Sequence, residues 1–419
     1  MRLLCIVIMI AGLLISSCSV TAKTYYIDYR LGSDRHSGVS QTKAWQRCPG
    51  MNGFSGIYRH QSGDRFVFKG GCVWPATALP LTIQNSGSPG AVDFYTTDHS
   101  WFSDSAWSQP VLSAQHSRTQ LLFAGNKSYF VINDLAFIDF GRAGIENGGK
   151  ALDLCGSNHY AITRCTIAPQ AWIGLYIHSY AGRTDEDILI DQNDISAAGQ
   201  AIVIAVEAPN SVISRIIVSN NSIHDLSSQI VGATHGDGIH TWNSVPADHS
   251  QFIQDLTISN NRFFGNFASG DNTKASMTAL IYITDPGKRT IITGNDLSYS
   301  KATHFSSLIW VLSSDSVQIV KNTLTMDTAQ GGIGIIVGQG DAGKRVTISD
   351  NVITGAKYCY YIYPDAIATT TIDRNACITL GPTVAFWNLV GKTWEQWQAL
   401  GYDGTGRHTI GSYEFTKEQ

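Results

Sequence analysis

The sequence predicts an all-β solenoid, a stack of short coils whose strands pair in parallel with those of the coils above and below. Three observations predict it. First, one phrase occurs seven times between Ile190 and Ile378: an aliphatic residue, two variable positions, an asparagine, and an apolar residue two places on. Its asparagines are Asn193, Asn221, Asn261, Asn295, Asn322, Asn351 and Asn375, spaced by 28, 40, 34, 27, 29 and 24 residues. Repeats of this length are supersecondary units that bury a face only by stacking on their neighbours. Second, each repeat holds short runs rich in β-branched residues, such as AIVIAV followed by RIIVSNNSI, with apolar positions alternating at period two. Third, no stretch from 120 to 380 carries a sustained helical period.

The elements follow in chain order. Met1-Arg2 and the apolar stretch 3–15 have the charge and length of a signal peptide and are too short to span a membrane. Two endings compete within the leader 1–22. Ile15-Ser16-Ser17-Cys18 looks like a lipobox that would leave Cys18 acylated and the chain anchored at an outer membrane or cell surface, and this is the favoured reading. Val20-Thr21-Ala22 is an ordinary cleavage site that would leave it periplasmic or secreted. Residues 23–119 hold most turn signals and many aromatics and read as an N-terminal cap with the first coils. Residues 120–380 read as about nine regular coils, roughly 40 Å of stack at ~4.8 Å per layer. Residues 381–419 read as a C-terminal cap, with a short amphipathic helix in WEQWQAL (394–400). Both caps cover strand edges that a solenoid otherwise exposes.

The asparagine at each turn predicts a ladder. Its amide bonds to the coil above, and asparagine tolerates the left-handed backbone that tight turns demand. By alignment Cys165 and Leu135 take that slot in the N-terminal coils. Export permits disulfides among Cys48, Cys72, Cys155, Cys165, Cys359 and Cys377, with neighbour pairing the simplest of many connectivities. Their spacing suggests no zinc site. A net charge of −4 with no long basic run gives nucleic-acid binding no support.

Together these segments resemble the right-handed parallel β-helix of the pectin-lyase-like superfamily. TYYIDYRLGSDRHSGVSQTKAWQ (24–46) resembles the opening of exported bacterial members, and GDRFVFKGGCVW (63–74) the strand segment that follows it. WEQWQALGYD resembles their closing tail. The resemblance implies a polysaccharide lyase, a glycoside hydrolase or an epimerase, with some members adhesive or structural. It leaves calcium open, because several related lyases use it, while no ligand set and no other cofactor is visible.

Aligning the first strand of each coil places Ile177, Ile204, Thr241, Ile283, Val311 and Ile335 inward. The outward columns then read Tyr176, Val203, His240, Tyr282, Trp310, Gly334 and His178, Ala205, Trp242, Thr284, Leu312, Ile336. Stacked outward aromatics suit a sugar cleft, since pyranose faces pack on rings. The two lengthened repeats add residues in 225–236, 243–252 and 265–276, flanking the polar cluster THGDGIHTW (234–242). Asp237, on the turn into that strand, and His240 are the expected acid and base, with His235 in support. Trp242, Tyr282, Trp310 and Tyr176 are the expected sugar platforms, and His178, Glu207, Asp285 and Lys274 complete the binding set. Asp237 with Asp285 or Glu207 would make a hydrolytic pair. Lys274, Lys288 and Arg289 would neutralise a uronate. The expected protein is therefore a monomeric, exported enzyme cleaving a polysaccharide, or alternatively a glycan-binding or adhesive surface solenoid.

Overall fold

The computed structural model describes residues 22–142, 148–179, 182–226, 236–243, 252–267, 277–284, 287–299, 301–302, 307–326, 332–338 and 345–411. The leader with Cys18, and the site candidates His235, Lys274 and Asp285, lie outside the described residues.

Among the described residues three long sheets of twelve strands run along the chain, parallel throughout except for the last pair of one of them. Each coil gives one strand to each sheet in turn, as in Ala198–Val206, Val212–Ser219 and Ser222–His224. Nine such coils run from Leu122–Gly125 to Ala376–Thr379. The sheet carrying Ala198–Val206 is called the site sheet below, the sheet carrying Val212–Ser219 the second, and the remaining one the third.

Register follows the repeat, because like residues meet like residues one coil on. On the second sheet Ile162, Ile190, Val218, Ile258, Ile292, Ile319, Ile348 and Ile372 pair in one unbroken inward column. All belong to the single large core. Each such buried aliphatic side chain contributes roughly 1.5–3 kcal/mol relative to exposure.

The asparagine ladder forms, with more bonds per rung than the sequence suggests. From Asn221 on, each Oδ1 accepts both the main-chain N–H and the Nδ2–H of the asparagine one coil before; between Asn221 and Asn261 these distances are 3.0 and 2.9 Å. The same Nδ2 also donates to a carbonyl of the preceding coil, as Asn221 does to Ile190 at 3.0 Å. The left-handed residue is the one before each asparagine: Gln192, Asn220, Asn260, Gly294, Lys321, Asp350 and Arg374 all have φ between 55° and 65°. The asparagine is thus selected for its side-chain bonding and not for its own backbone.

The ladder has distinct ends. At the first rung the N–H of Cys165 donates to Asn193. Burial pushes the Cys165 thiol up to about 12, so it stays protonated. At the last rung Asp403 replaces asparagine, accepting from Asn375 N–H and Nδ2–H at 3.0 and 2.9 Å. Its other oxygen takes the Trp397 indole N–H at 3.2 Å. Burial raises the Asp403 pKa, opposed by those hydrogen bonds.

Among the described residues no disulfide forms, and the six cysteines there are buried thiols. They serve as small apolar residues within coils; Cys165 occupies a ladder slot and Cys377 bonds to the Tyr360 hydroxyl. The N-terminal edge is closed by rings, Trp45 stacking on Tyr25 at 4.7 Å, beside Phe66 and Tyr95. The C-terminal edge is closed by strand Val390–Thr393, which pairs antiparallel with Thr383–Trp387, and by helix Trp394–Ala399. Thr393 and Gln396 form a capping box on that helix, and its buried Trp397 stacks on Tyr360.

Candidate functional site

The outer face of the site sheet gathers most of the described candidates, through a local departure from strand alternation. In strand Gly236–Asn243 two consecutive residues turn inward. Ile239 lies in the core, and a Cβ on Gly238 would meet the core ring of Phe263 at 2.5 Å and the Leu280 carbonyl oxygen at 2.4 Å. Only glycine fits there. The double inward step brings Asp237 and His240 to the same outer face although they are three residues apart. Asp237 therefore sits within the strand, paired with Gln200 and Ala279, and not on the turn the sequence suggested.

Asp237 is fully buried and held by the protein. Gln200 Nε2 donates to its Oδ2 at 3.1 Å and the Ala279 N–H to its Oδ1 at 3.2 Å. His240 Nδ1 lies 3.5 Å from Oδ2, and Gln200 Nε2 lies 3.3 Å from the same nitrogen. The His240 ring is 6% exposed and stacks on Tyr282 at 5.1 Å; Tyr282 in turn meets Trp310 at 5.2 Å. The two expected catalytic groups thus converge, but both are buried. Asp237 has no exposed surface and faces Gln200 and the His240 ring.

A second polar cluster lies two coils toward the N-terminus on the same face. Register places Asp153, Tyr176, Val203, His240, Tyr282, Trp310 and Ile336 in one outward column, so Ile336 and not Gly334 follows Trp310. The next column runs Cys155, His178, Ala205, Trp242. His178 bridges two carboxylates, with Nε2 2.7 Å from Asp153 and Nδ1 2.8 Å from Glu207. Glu207 also accepts the Tyr176 hydroxyl. Burial lowers the His178 pKa, but bonds and charges from Asp153 and Glu207 outweigh it, and the imidazole ends above its ordinary value. Burial likewise raises Glu207, and His178, Tyr176 and Lys150 overcome it, leaving the carboxylate below its ordinary range. The acids therefore favour the charged imidazole, and the imidazole favours the ionised form of Glu207.

Tyr176 is not the exposed platform the sequence suggested. It is 2% exposed, its hydroxyl is bound to Glu207, and the Lys150 ammonium sits 3.7 Å over its ring. Trp242 is open at 40%, and Tyr282 and Trp310 are half-buried. Ala205 stands between Trp242 and His178 in their column and is fully buried, packed with Val203, Tyr176 and Ile173. Lys288 and Arg289 belong to the second sheet, in strand Gly287–Thr293, and do not border this face. Lys288 caps the Phe252 ring and Arg289 pairs with Asp255.

Asp153 and Gln200 are the residues sequence reasoning missed. The signal for Asp153 was present: an acid at an outward position of the apolar strand KALDLC. A metal-compatible grouping among the described residues is His159, Glu186 and Asp187, on the second sheet. Arg215 already neutralises both acids, 2.8 Å from Glu186 and 2.6 Å from Asp187.

Comparison with solved structures agrees with this architecture. A selenomethionine-labelled GH136 lacto-N-biosidase from Eubacterium ramulus superposes with a TM-score of 0.52 at 10% identity, covering 94% of this chain and 67% of that one. The native form of the same enzyme gives 0.51 with the same identity and coverage. A DFA-IIIase from Arthrobacter chlorophenolicus A6 without its lid gives 0.44 at 10% identity, over 84% of this chain and 75% of that one. No family model matches the chain, and no curated protein matches it. At this identity the likeness defines the fold alone: a right-handed parallel β-helix.

Proposed function

We propose that the chain is a glycan-cleaving hydrolase acting on the outer face of the site sheet. The observation that carries this reading is the row Asp153–His178–Glu207 beside the open Trp242 ring. Asp153 and Glu207 each bind one nitrogen of the His178 imidazole, so a proton donor and a carboxylate base share one outer face. Both keep partial solvent access, with side chains 16% and 24% exposed. Glu207, held ionised, acts as the base that activates water. Asp153 delivers the proton that His178 holds at Nε2 to the leaving glycosidic oxygen. Trp242 and the Tyr282–Trp310 pair seat the sugar rings. Hydrolysis is favoured over elimination because the one described lysine at the cluster, Lys150, is placed over the Tyr176 ring. The fold is also that of a lacto-N-biosidase, which supports a glycan substrate without identifying it.

The test is a panel of neutral and acidic glycans assayed with wild type and Glu207→Gln. New reducing ends without absorbance near 235 nm, abolished in Glu207→Gln, are expected. Turnover that survives Glu207→Gln, or an unsaturated product, overturns the reading. A non-catalytic glycan-binding solenoid is the second reading, and the burial of both Asp237 and His240 favours it. Binding by wild type without turnover on any glycan would select it.

A further inference from the structure

A cavity of about 660 Å³ opens elsewhere, where the second sheet turns into the third on the N-terminal coils. It arises from a break in strand register. Phe68 pairs with Thr97 and Gly70 with Phe102, so a single residue on one strand opposes four, 98–101, on the other. Such bulges re-aim side chains, and this one carries His99 out over the Trp107 ring, with centroids 3.8 Å apart. Asp134 fixes the pair from below, its oxygens 2.6 Å from His99 Nε2 and 2.9 Å from Gln109 Nε2. The acid is thus engaged within the wall, and Arg65 and Arg164 stand at the two ends of the cavity.

Those two arginines differ from others of the chain. Arg215, Arg289, Arg345 and Arg374 each grip an aspartate of a neighbouring coil through two hydrogen bonds. Arg65 and Arg164 are exposed, and among the described residues no carboxylate lies within ion-pair distance of either. They stand three strand layers apart, about 14 Å, with the amide of Asn133 and the Trp107 ring between them. A guanidinium fork presents paired donors to a planar carboxylate. The half-buried indole, covered by His99 on one face, can meet a pyranose only with its other face, and the Asn133 amide, which donates to Thr96 and accepts from Thr163, has one further N–H for a sugar hydroxyl.

We propose that this cavity binds a carboxylated sugar chain, with acid groups on Arg65 and Arg164 and a ring against Trp107, separately from the face that carries Glu207. The site stands whether or not the chain turns over a glycan. Calorimetric titration of full-length protein with an oligogalacturonate, and with a neutral oligosaccharide of equal length, tests it. Wild type is expected to bind the acidic oligomer, more weakly as sodium chloride is raised, and the neutral one at least about tenfold more weakly. Arg65→Gln with Arg164→Gln should lose at least about tenfold, and the double lysine variant should recover only part, since charge returns but the fork does not. Both arginines are exposed, so the double variant should melt as wild type does. Trp107→Ala tests the ring independently. Titration in the Glu207→Gln background should give wild-type affinity, which separates this site from the proposed catalytic face. Equal affinity for the neutral oligomer, unchanged binding in the double variant, or loss through Trp242→Ala instead overturns the proposal.

Discussion

Replacing Asn261 with alanine tests whether the ladder holds the stack together or merely decorates it. The side chain makes four hydrogen bonds. Its Oδ1 accepts from Asn221 N–H and Nδ2–H at 3.0 and 2.9 Å, and its Nδ2 donates to Asn295 Oδ1 and the Val218 carbonyl at 3.0 and 2.9 Å. Alanine leaves the Asn221 main-chain N–H buried without its acceptor, which costs about 1–3 kcal/mol. The remaining lost bonds, at about 1 kcal/mol each and partly compensated by those the neighbours keep, bring the expected loss to roughly 3–5 kcal/mol. Urea unfolding followed by circular dichroism and by tryptophan fluorescence measures it, and both probes are needed because stacked repeats can melt in segments. Asn261→Asp sharpens the test. It keeps the acceptor but sets a carboxylate against the Val218 carbonyl and Asn295 Oδ1. It should be at least as damaging at neutral pH and should recover as acid protonates it. A loss under about 1 kcal/mol for Asn261→Ala would refute the reasoning, since a buried orphan donor cannot cost so little.

Three further outcomes are expected. The Asp153–His178–Glu207 row links stability to pH in both directions: His178, raised above 6.5, contributes fully below that value and loses its contribution as pH rises through its folded pKa. Glu207, lowered below 4.5, contributes above that value and loses its contribution as pH falls through its folded pKa. His178→Ala should flatten the alkaline limb of a Tm-against-pH curve, and an unchanged limb would count against the ion pairing. Gly238→Ala should cost at least about 2 kcal/mol in urea unfolding, because its methyl meets a backbone carbonyl and a packed ring that cannot both retreat; wild-type stability would show that the strand does not turn inward twice. Trp242→Ala should weaken glycan affinity while lowering Tm by only a degree or two, since an exposed ring contributes little to the core; a large fall in Tm would mean that the ring packs against the protein instead of offering itself to sugar.

Sequence and structure divide the site unevenly. The aromatic column was legible because outward positions repeat at each coil, and Trp242, Tyr282 and Trp310 fall where that count puts them. The count slipped after Trp310, where a two-residue error kept the face and changed the neighbour, from Gly334 to Ile336. Asp237 was legible as a polar residue in a lengthened coil, but its burial was not. That depends on the inward double step at Gly238–Ile239 and on Gln200 from the coil before. The bridge from Asp153 through His178 to Glu207 joins three coils, and no local pattern encodes such a contact.

The repeat by itself determined that strands stack in parallel, that one asparagine recurs per coil, and how many coils there are. It does so because a solenoid satisfies each coil chiefly through contacts with its two neighbours, so a local phrase repeated in sequence becomes a column in space. Tertiary structure alone decided that the ladder closes on Asp403, that the six described cysteines form no disulfide, and which acids share an imidazole. Those features depend on where coils depart from the repeat, through a bulge, an inward double step or a side chain reaching across layers. A periodic pattern carries no information about its own exceptions, and in this protein the chemistry sits on the exceptions.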